Sequence, residues 1–224
     1  MKKQILSIAS IALVAGALVM SGCKKDDITA PEITLVGDAT VDVDFKGTYT
    51  DGGATANDDR DGDLTTKVVV SNPVATTSAE TYTVTYNVSD EAGNAASEAT
   101  RTINVVIKGA HVAGTYSVLD HVPTNNPVDF TYPDNITVSG ADPNKIIVSK
   151  FAAYVNGQVN MTISGTNGTV VTIPNQTVTC GNPSASRAFS GTGTISKDGR
   201  IITINYTEVT NGSNTTGTET YTLQ

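Results

Sequence analysis

From Glu80 to Asp90 the chain reads ETYTVTYNVSD, with Tyr82, Val84, Tyr86 and Val88 on alternate positions and Thr, Thr and Asn between them. A period of two puts these four side chains on one face, the pattern of an antiparallel strand with one buried and one solvated side. EAGN follows as a turn, and ATRTINVVI, Ala99–Ile107, alternates again. PEITLVG, TVDVDF and TKVVVS supply three earlier strands. Seven or so short strands over about 80 residues predict a β-sandwich. The small-residue segment KGAHVAG, residues 108–114, marks a boundary. Beyond it GTYSVLD, DNITVSG, NKIIVSKFAAYV, QVNMTISG, TVVTIPNQTV, FSGTGTISK, RIITINYTEV and TETYTL predict eight more strands, separated by the turns ADPN, VNG, TNG, KDG and TNGSN. Asn-Gly and Asp-Gly between alternating strands are strong hairpin signals. Hairpin-linked strands make an up-and-down meander, and closing it into a barrel removes its exposed edges. No segment after the N-terminal 22 residues shows helical periodicity, so the fold class is all-β.

The N-terminus follows a different pattern. Met1-Lys2-Lys3 is positive, and ILSIASIALVAGALVM, residues 5–20, is apolar and uncharged. Small residues follow, the order of a secretion signal. The alternative, a membrane span, calls for roughly 20 apolar residues. VMSGC resembles a bacterial lipobox, although Val19 or Met20 stands where Leu is commonest. That resemblance implies that Cys23 is lipidated and becomes the mature N-terminus. Acyl chains add about 0.8 kcal/mol of membrane affinity per buried CH₂. KKDD, directly after the cysteine, resembles the export signals of Bacteroidota surface lipoproteins, which implies the outer face of the outer membrane; a solvated linker is the alternative. The chain then divides into a signal peptide at 1–22, the lipidated cysteine and linker at 23–29, a first β domain at 30–108 and a second at 109–224.

Charge narrows the partners. The chain carries 14 Lys and Arg against 22 Asp and Glu, and the imbalance lies in the first domain: 15 acidic and 7 basic residues between Cys23 and Lys108, 7 and 5 after it. Such a surface repels phosphate backbones, which excludes nucleic acid as a partner. Once Cys23 is lipidated, Cys180 has no cysteine to pair with, and His111 and His121 are the only histidines. No G-x-S-x-G elbow is present. Asp120-His121 is half of a triad at most, and glycosidase chemistry needs two positioned carboxylates. The chain is therefore expected not to be an enzyme.

The first domain also resembles a known family. "ITL-G", "Y-D-GA-A-D--DGDLT", "YTVTY-V-D-AGN-A" and "TR-I-V" occur in order over roughly residues 30–108. They are similar to the bacterial Ig-like domain also found in a pesticidal crystal toxin, a domain of unknown function used as a spacer or interaction module. Within it, Asn57, Asp59 and Asp61 alternate, followed by Gly62 and Asp63, as in the opening of a calcium loop. Position 12 of that loop is Val68, where a Glu ligand belongs. Asn57, Asp59, Asp61 and Asp63 are thus candidates for calcium, with a tight turn capped by Asp side chains as the alternative. The second domain is similar to the lipocalin-like C-terminal domains of Bacteroidota surface lipoproteins, through "G-NGTVVTIP-QTV" and "SGTGTIS-DG--ITI-Y". That resemblance implies at most a glycan-related role. PVDFTYPDN, residues 127–135, places Phe130 and Tyr132 in a loop or strand edge, where they either stack on sugar rings or plug the core. Tyr154, Phe189, Tyr206 and Tyr221 read as core. The resulting expectation is a non-catalytic, lipid-anchored envelope protein that captures glycans, with a structural or adhesive protein contacting other envelope proteins as the alternative.

Overall fold

The computed structural model describes residues 26–124 and 127–224. The signal segment and Cys23 lie outside them. Among the described residues no helix is long and apolar enough to cross a membrane.

The first domain contains β1 (Glu32–Leu35), β2 (Thr40–Asp44), β3 (Ala54–Asp58), β4 (Gly62–Asp63), β5 (Val69–Ser71), β6 (Thr81–Asn87) and β7 (Ala99–Val106). They form two sheets, ordered β1-β3-β4 and β2-β7-β6-β5. The β2–β7 pair is parallel and the others are antiparallel. The predicted alternation holds: Val84 and Tyr86 are fully buried and join Val43 and Ile103 in the core. One ion pair crosses this core. Arg101 on β7 is 2% exposed and sits 2.5 Å from Asp51. Its other N–H groups donate to the carbonyls of Asp38 (3.0 Å), Val36 (2.6 Å) and Gly53 (3.2 Å). Tyr86 and Tyr49 donate to the same Asp51 oxygen at 2.6 and 2.9 Å. Burial would raise the Asp51 carboxyl, but these O–H donors and the Arg101 charge hold it below the usual range. The motif residues Tyr49, Asp51 and Arg101 are therefore one structural knot.

The second domain is a closed barrel of eight strands: β8 (Gly114–Val122), β9 (Val128–Val138), β10 (Lys145–Val148), β11 (Val159–Ser164), β12 (Val170–Cys180), β13 (Ala185–Ile195), β14 (Ile201–Thr210) and β15 (Ser213–Leu223). Every neighbour is antiparallel and sequential, and β15 closes on β8. Two boundaries differ from expectation. β9 starts at Val128, so the proline-bounded stretch belongs to a strand; β10 stops at Val148, and Phe151–Ala153 is a 3₁₀ turn.

One end of the barrel rests on the first domain. A single cluster of buried side chains joins Phe45, Ala79, Val105 and Ile107 to barrel residues including Val112, Ile146 and Ile195. The helical turn α1 (Gly109–Val112) connects the two. Backbone hydrogen bonds cross the seam from Ile107 N to Asn167 O (2.9 Å) and from Ala79 N to Lys197 O (2.8 Å). The Asn167 amide donates to Val105 O at 3.1 Å, and Lys197 pairs with Glu80. Gly168 has φ +66°, and a Cβ there would collide with the Ile107 carbonyl. Only glycine accepts both conditions cheaply.

Because the two domains share one core, the protein should melt in a single transition. Gly168→Val should cost about 1–3 kcal/mol by overpacking the seam and split the calorimetric endotherm into two. A variant endotherm that stays single at the wild-type temperature would contradict the shared core.

Candidate functional site

The far end of the barrel, where segments 149–158, 181–184 and 211–212 lie beside residues 123 and 124, is the end left free. Its interior is set by strand alternation. Tyr116, Val118 and Asp120 on β8 point inward, as do Tyr132, Asp134 and Ile136 on β9, Phe189 on β13, Tyr206 and Glu208 on β14, and Glu219 and Tyr221 on β15. The segment after β10 folds back into this interior. Phe151 is fully buried, its ring 5.2 Å from that of Phe189 and 5.0 Å from that of Tyr206, both edge-on. It plugs the lumen.

Three buried carboxylates latch this plug. Asp134 accepts from the Ser149 N–H (3.1 Å), the Ser149 hydroxyl (2.5 Å) and the Lys150 N–H (3.1 Å). Glu219 accepts from the Ala152 N–H at 2.7 Å, from Tyr221 at 2.6 Å and from Tyr132. Glu208 accepts from the Tyr154 hydroxyl at 3.0 Å and pairs with Arg187, whose guanidinium lies 4.0 Å from the centre of the Tyr154 ring. Ala152 and Ala153 hold φ of +52° and +58°. Such conformations cost of order 1 kcal/mol each for residues other than glycine, and the latch and the buried Phe151 ring offset that cost. A fourth carboxylate, Asp120, accepts from Tyr206 at 2.9 Å.

Glu219 and Asp120 respond to burial. Glu219 is fully enclosed and its carboxyl is pushed up to about 8, against the hydrogen bonds from Tyr132, Tyr221 and Ala152. Burial also raises Asp120, with Tyr206 opposing it. Burial raises the Cys180 thiol, which is therefore a poor nucleophile at neutral pH.

The candidates from the sequence separate. Tyr132 lies inside, bound to Glu219. Phe130 stands at the rim, 47% exposed, and is the one exposed aromatic among the described residues. Phe189, Tyr206 and Tyr221 are core residues on strands, whereas Tyr154 sits half-buried in the plug. Asp120 and His121, neighbours on a strand, face opposite sides. His121 meets Asp129 at 2.6 Å on the outer surface, and Asp120 faces the lumen.

Among the calcium candidates, Asn57 and Asp63 are partners across β3 and β4. Asn57 donates to the Asp58 carbonyl, Asp61 accepts from the Glu91 N–H and Asp63 accepts from the Thr65 N–H. Asp59 instead converges with Asp58 and Asp27. The plug latch was not visible in the sequence. Glu208 and Glu219 sit at inward positions of alternating strands, which is the one signal that marks them.

Folding takes Glu219 from an ordinary carboxyl value to a raised one, so the folded state holds the proton more tightly. Below about pH 4 both states are protonated and Glu219 adds no pH dependence. Between that value and about 8 the unfolded chain loses the proton first, and stability falls as pH rises. Urea melts should therefore shift in favour of Glu219→Gln relative to wild type between pH 4.5 and 8.5. An offset between the two proteins that stays constant across that range would mean Glu219 titrates normally.

No curated protein matches the chain. A search of solved structures finds a lipoprotein from Bacteroides thetaiotaomicron, 14% identical, with 85% of this chain and 98% of that one covered, at a TM-score of 0.35. Residues 33–105 match the family described as bacterial surface protein, Ig-like domain. The chain thus carries a bacterial surface protein Ig-like domain, followed by an eight-stranded antiparallel barrel.

Proposed function

We propose that the protein is a non-catalytic, lipid-anchored binding protein of the cell surface, with the free rim of the barrel as its contact element. Cys23 holds it to the membrane, the Ig-like domain carries the barrel outward, and the partner meets the rim. The observation that carries this reading is the position of Phe130. One barrel end rests on the Ig-like domain, the lumen is plugged by Phe151, and the exposed aromatic stands at the opposite rim. An exposed ring offers an apolar face to sugar C–H groups, which supports glycan capture. The non-catalytic part rests on the lumen acids. Asp134, Glu208 and Glu219 are engaged with the plug, and Asp120 with Tyr206.

A second reading has its own observation. β9 pairs with β10 only over Ile136–Val138, while its pairing with β8 continues to Val128. The stretch Val128–Thr131, with Phe130 in it, therefore has a ladder on one side only. Such an edge accepts an added strand from a protein partner. Asp129 and Pro133 blunt it against indiscriminate pairing.

A glycan array probed with the intact protein and with Phe130→Ala separates the two. Glycan capture gives reproducible hits that drop at least about tenfold in the variant, the scale of a lost stacking contact. A blank array would overturn it, and hits unchanged in the variant would remove Phe130 from the site. For the anchor, Cys23→Ala should move the protein from the membrane to the soluble fraction, and retention in the membrane would refute lipidation.

A further inference from the structure

We infer that Asp27, Asp58 and Asp59 bind a divalent cation, with Ca²⁺ as the ion of choice, where the N-terminal linker joins the Ig-like domain. The inference does not depend on the rim or on the anchor.

The three residues come from two places. Asp58 ends β3, Asp59 opens the following turn, and Asp27 lies in the linker, 31 positions earlier than Asp58. Each offers a carboxylate oxygen, and the three oxygens lie within 4.8 Å of one another. Oxygens bound to Ca²⁺ at about 2.4 Å can be no more than about 4.8 Å apart, the diameter of the coordination shell. The spacing therefore fits one shared ion.

Three like charges at this spacing repel unless something offsets them. Arg60 supplies part of that, with Nε 3.8 Å from an Asp27 oxygen. Asp58 gives the independent observation. It is 4% exposed, and its Oδ1 accepts from the Arg60 and Asp61 N–H groups at 2.8 and 2.9 Å, closing the turn. Its Oδ2 is buried and has no hydrogen-bond partner. A buried carboxylate oxygen without a donor carries a desolvation cost that a bound cation would remove. The turn thus consumes one Asp58 oxygen and leaves the other for the ion.

The linker is already held in place. The Asn94 side-chain amide donates to the Asp27 carbonyl at 3.1 Å and to the Asp90 carboxylate at 2.7 Å, and Asp90 accepts the Asn94 N–H at 2.7 Å. These bonds tie the linker at Asp27 to the Asp90–Asn94 turn without an ion. Carboxylates and water complete the six to eight oxygens that Ca²⁺ takes, whereas Mg²⁺ demands a tighter octahedron. Binding would clamp the linker to the domain and set the direction in which the tether leaves it.

The test is calorimetric titration of the intact protein in detergent, stripped with EDTA, with CaCl₂ and separately MgCl₂, alongside thermal melts. One Ca²⁺ should bind with a dissociation constant in the range of extracellular modules, about 10⁻⁴–10⁻³ M, and raise the melting temperature. Asp59→Asn should weaken binding at least about tenfold. Asp59 is exposed and outside the turn bonds, so without Ca²⁺ this variant should fold and melt no lower than wild type. Asp27→Asn should weaken binding similarly and report on the linker. Absence of binding heat and of a melting shift at 10-fold excess over that range would overturn the inference, as would undiminished binding in Asp59→Asn.

Discussion

The rest of the structure depends on the seam at Ile107 and Gly168. There β7 runs out of the sandwich, Ile107 enters the core of the barrel, and Asn167 holds the strand at two points, accepting from the Ile107 N–H through its backbone carbonyl and donating to the Val105 carbonyl through its side-chain amide. A hydrophobic core is non-directional, but a glycine pressed against a backbone carbonyl is not. The seam therefore fixes an angle between the domains as well as a distance. Burying apolar surface stabilises by about 25 cal/mol per Å², so the base of the barrel and the end of the sandwich each gain from the other. One end of the barrel is thus taken up by the contact between the domains, and the other is free.

At the free end the chemistry is turned inward. A barrel of eight strands has an interior just wide enough for side chains, and here Phe151 takes part of that space from a connecting loop. The loop leaves the ladder at Val148, where its backbone groups need new partners. Asp134 and Glu219 accept from its Lys150 and Ala152 N–H groups, and Glu208, on a third strand, accepts from the Tyr154 hydroxyl. Carboxylates that in another setting would suggest acid–base chemistry act here as latches. Burying them carries a desolvation cost, and Arg187 offsets part of it at Glu208.

The sequence exposed the fold more readily than the site. Alternation at Tyr82, Val84 and Tyr86, and at the inward positions of β13–β15, was strong because one face of each strand is buried. Hairpin turns of the Asn-Gly and Asp-Gly type marked the strand ends. Of the two alternatives for residues 127–135, a loop or a strand edge, the structure has the edge, with Pro133 where β9 has no β10 partner; the predicted strand running past Val148 instead turns into the plug. Pairings across long separations were not legible. Arg101 with Asp51, and Glu219 with Ala152, depend on topology, which a single sequence does not state. The acidic loop shows the same limit, since alternate spacing pointed to Asn57, Asp59, Asp61 and Asp63 while the fold brings Asp27 to Asp58 and Asp59. Phe130 and Tyr132 share a strand face, yet the β9 rim exposes one and the lumen encloses the other.

A distance measurement between the two domains tests the central claim, that they form one rigid unit presenting the free rim. Spin labels at Ser71→Cys on the edge strand β5 and Ser213→Cys at the free end of the barrel would be read by pulsed electron paramagnetic resonance. Both positions are exposed, and Cys180 is buried away from the label. A single narrow distance distribution, unchanged by viscosity, is the result this account requires. A broad or multi-peaked distribution would mean that the barrel swings on the Ig-like domain, and that the seam does not hold the rim in a fixed direction.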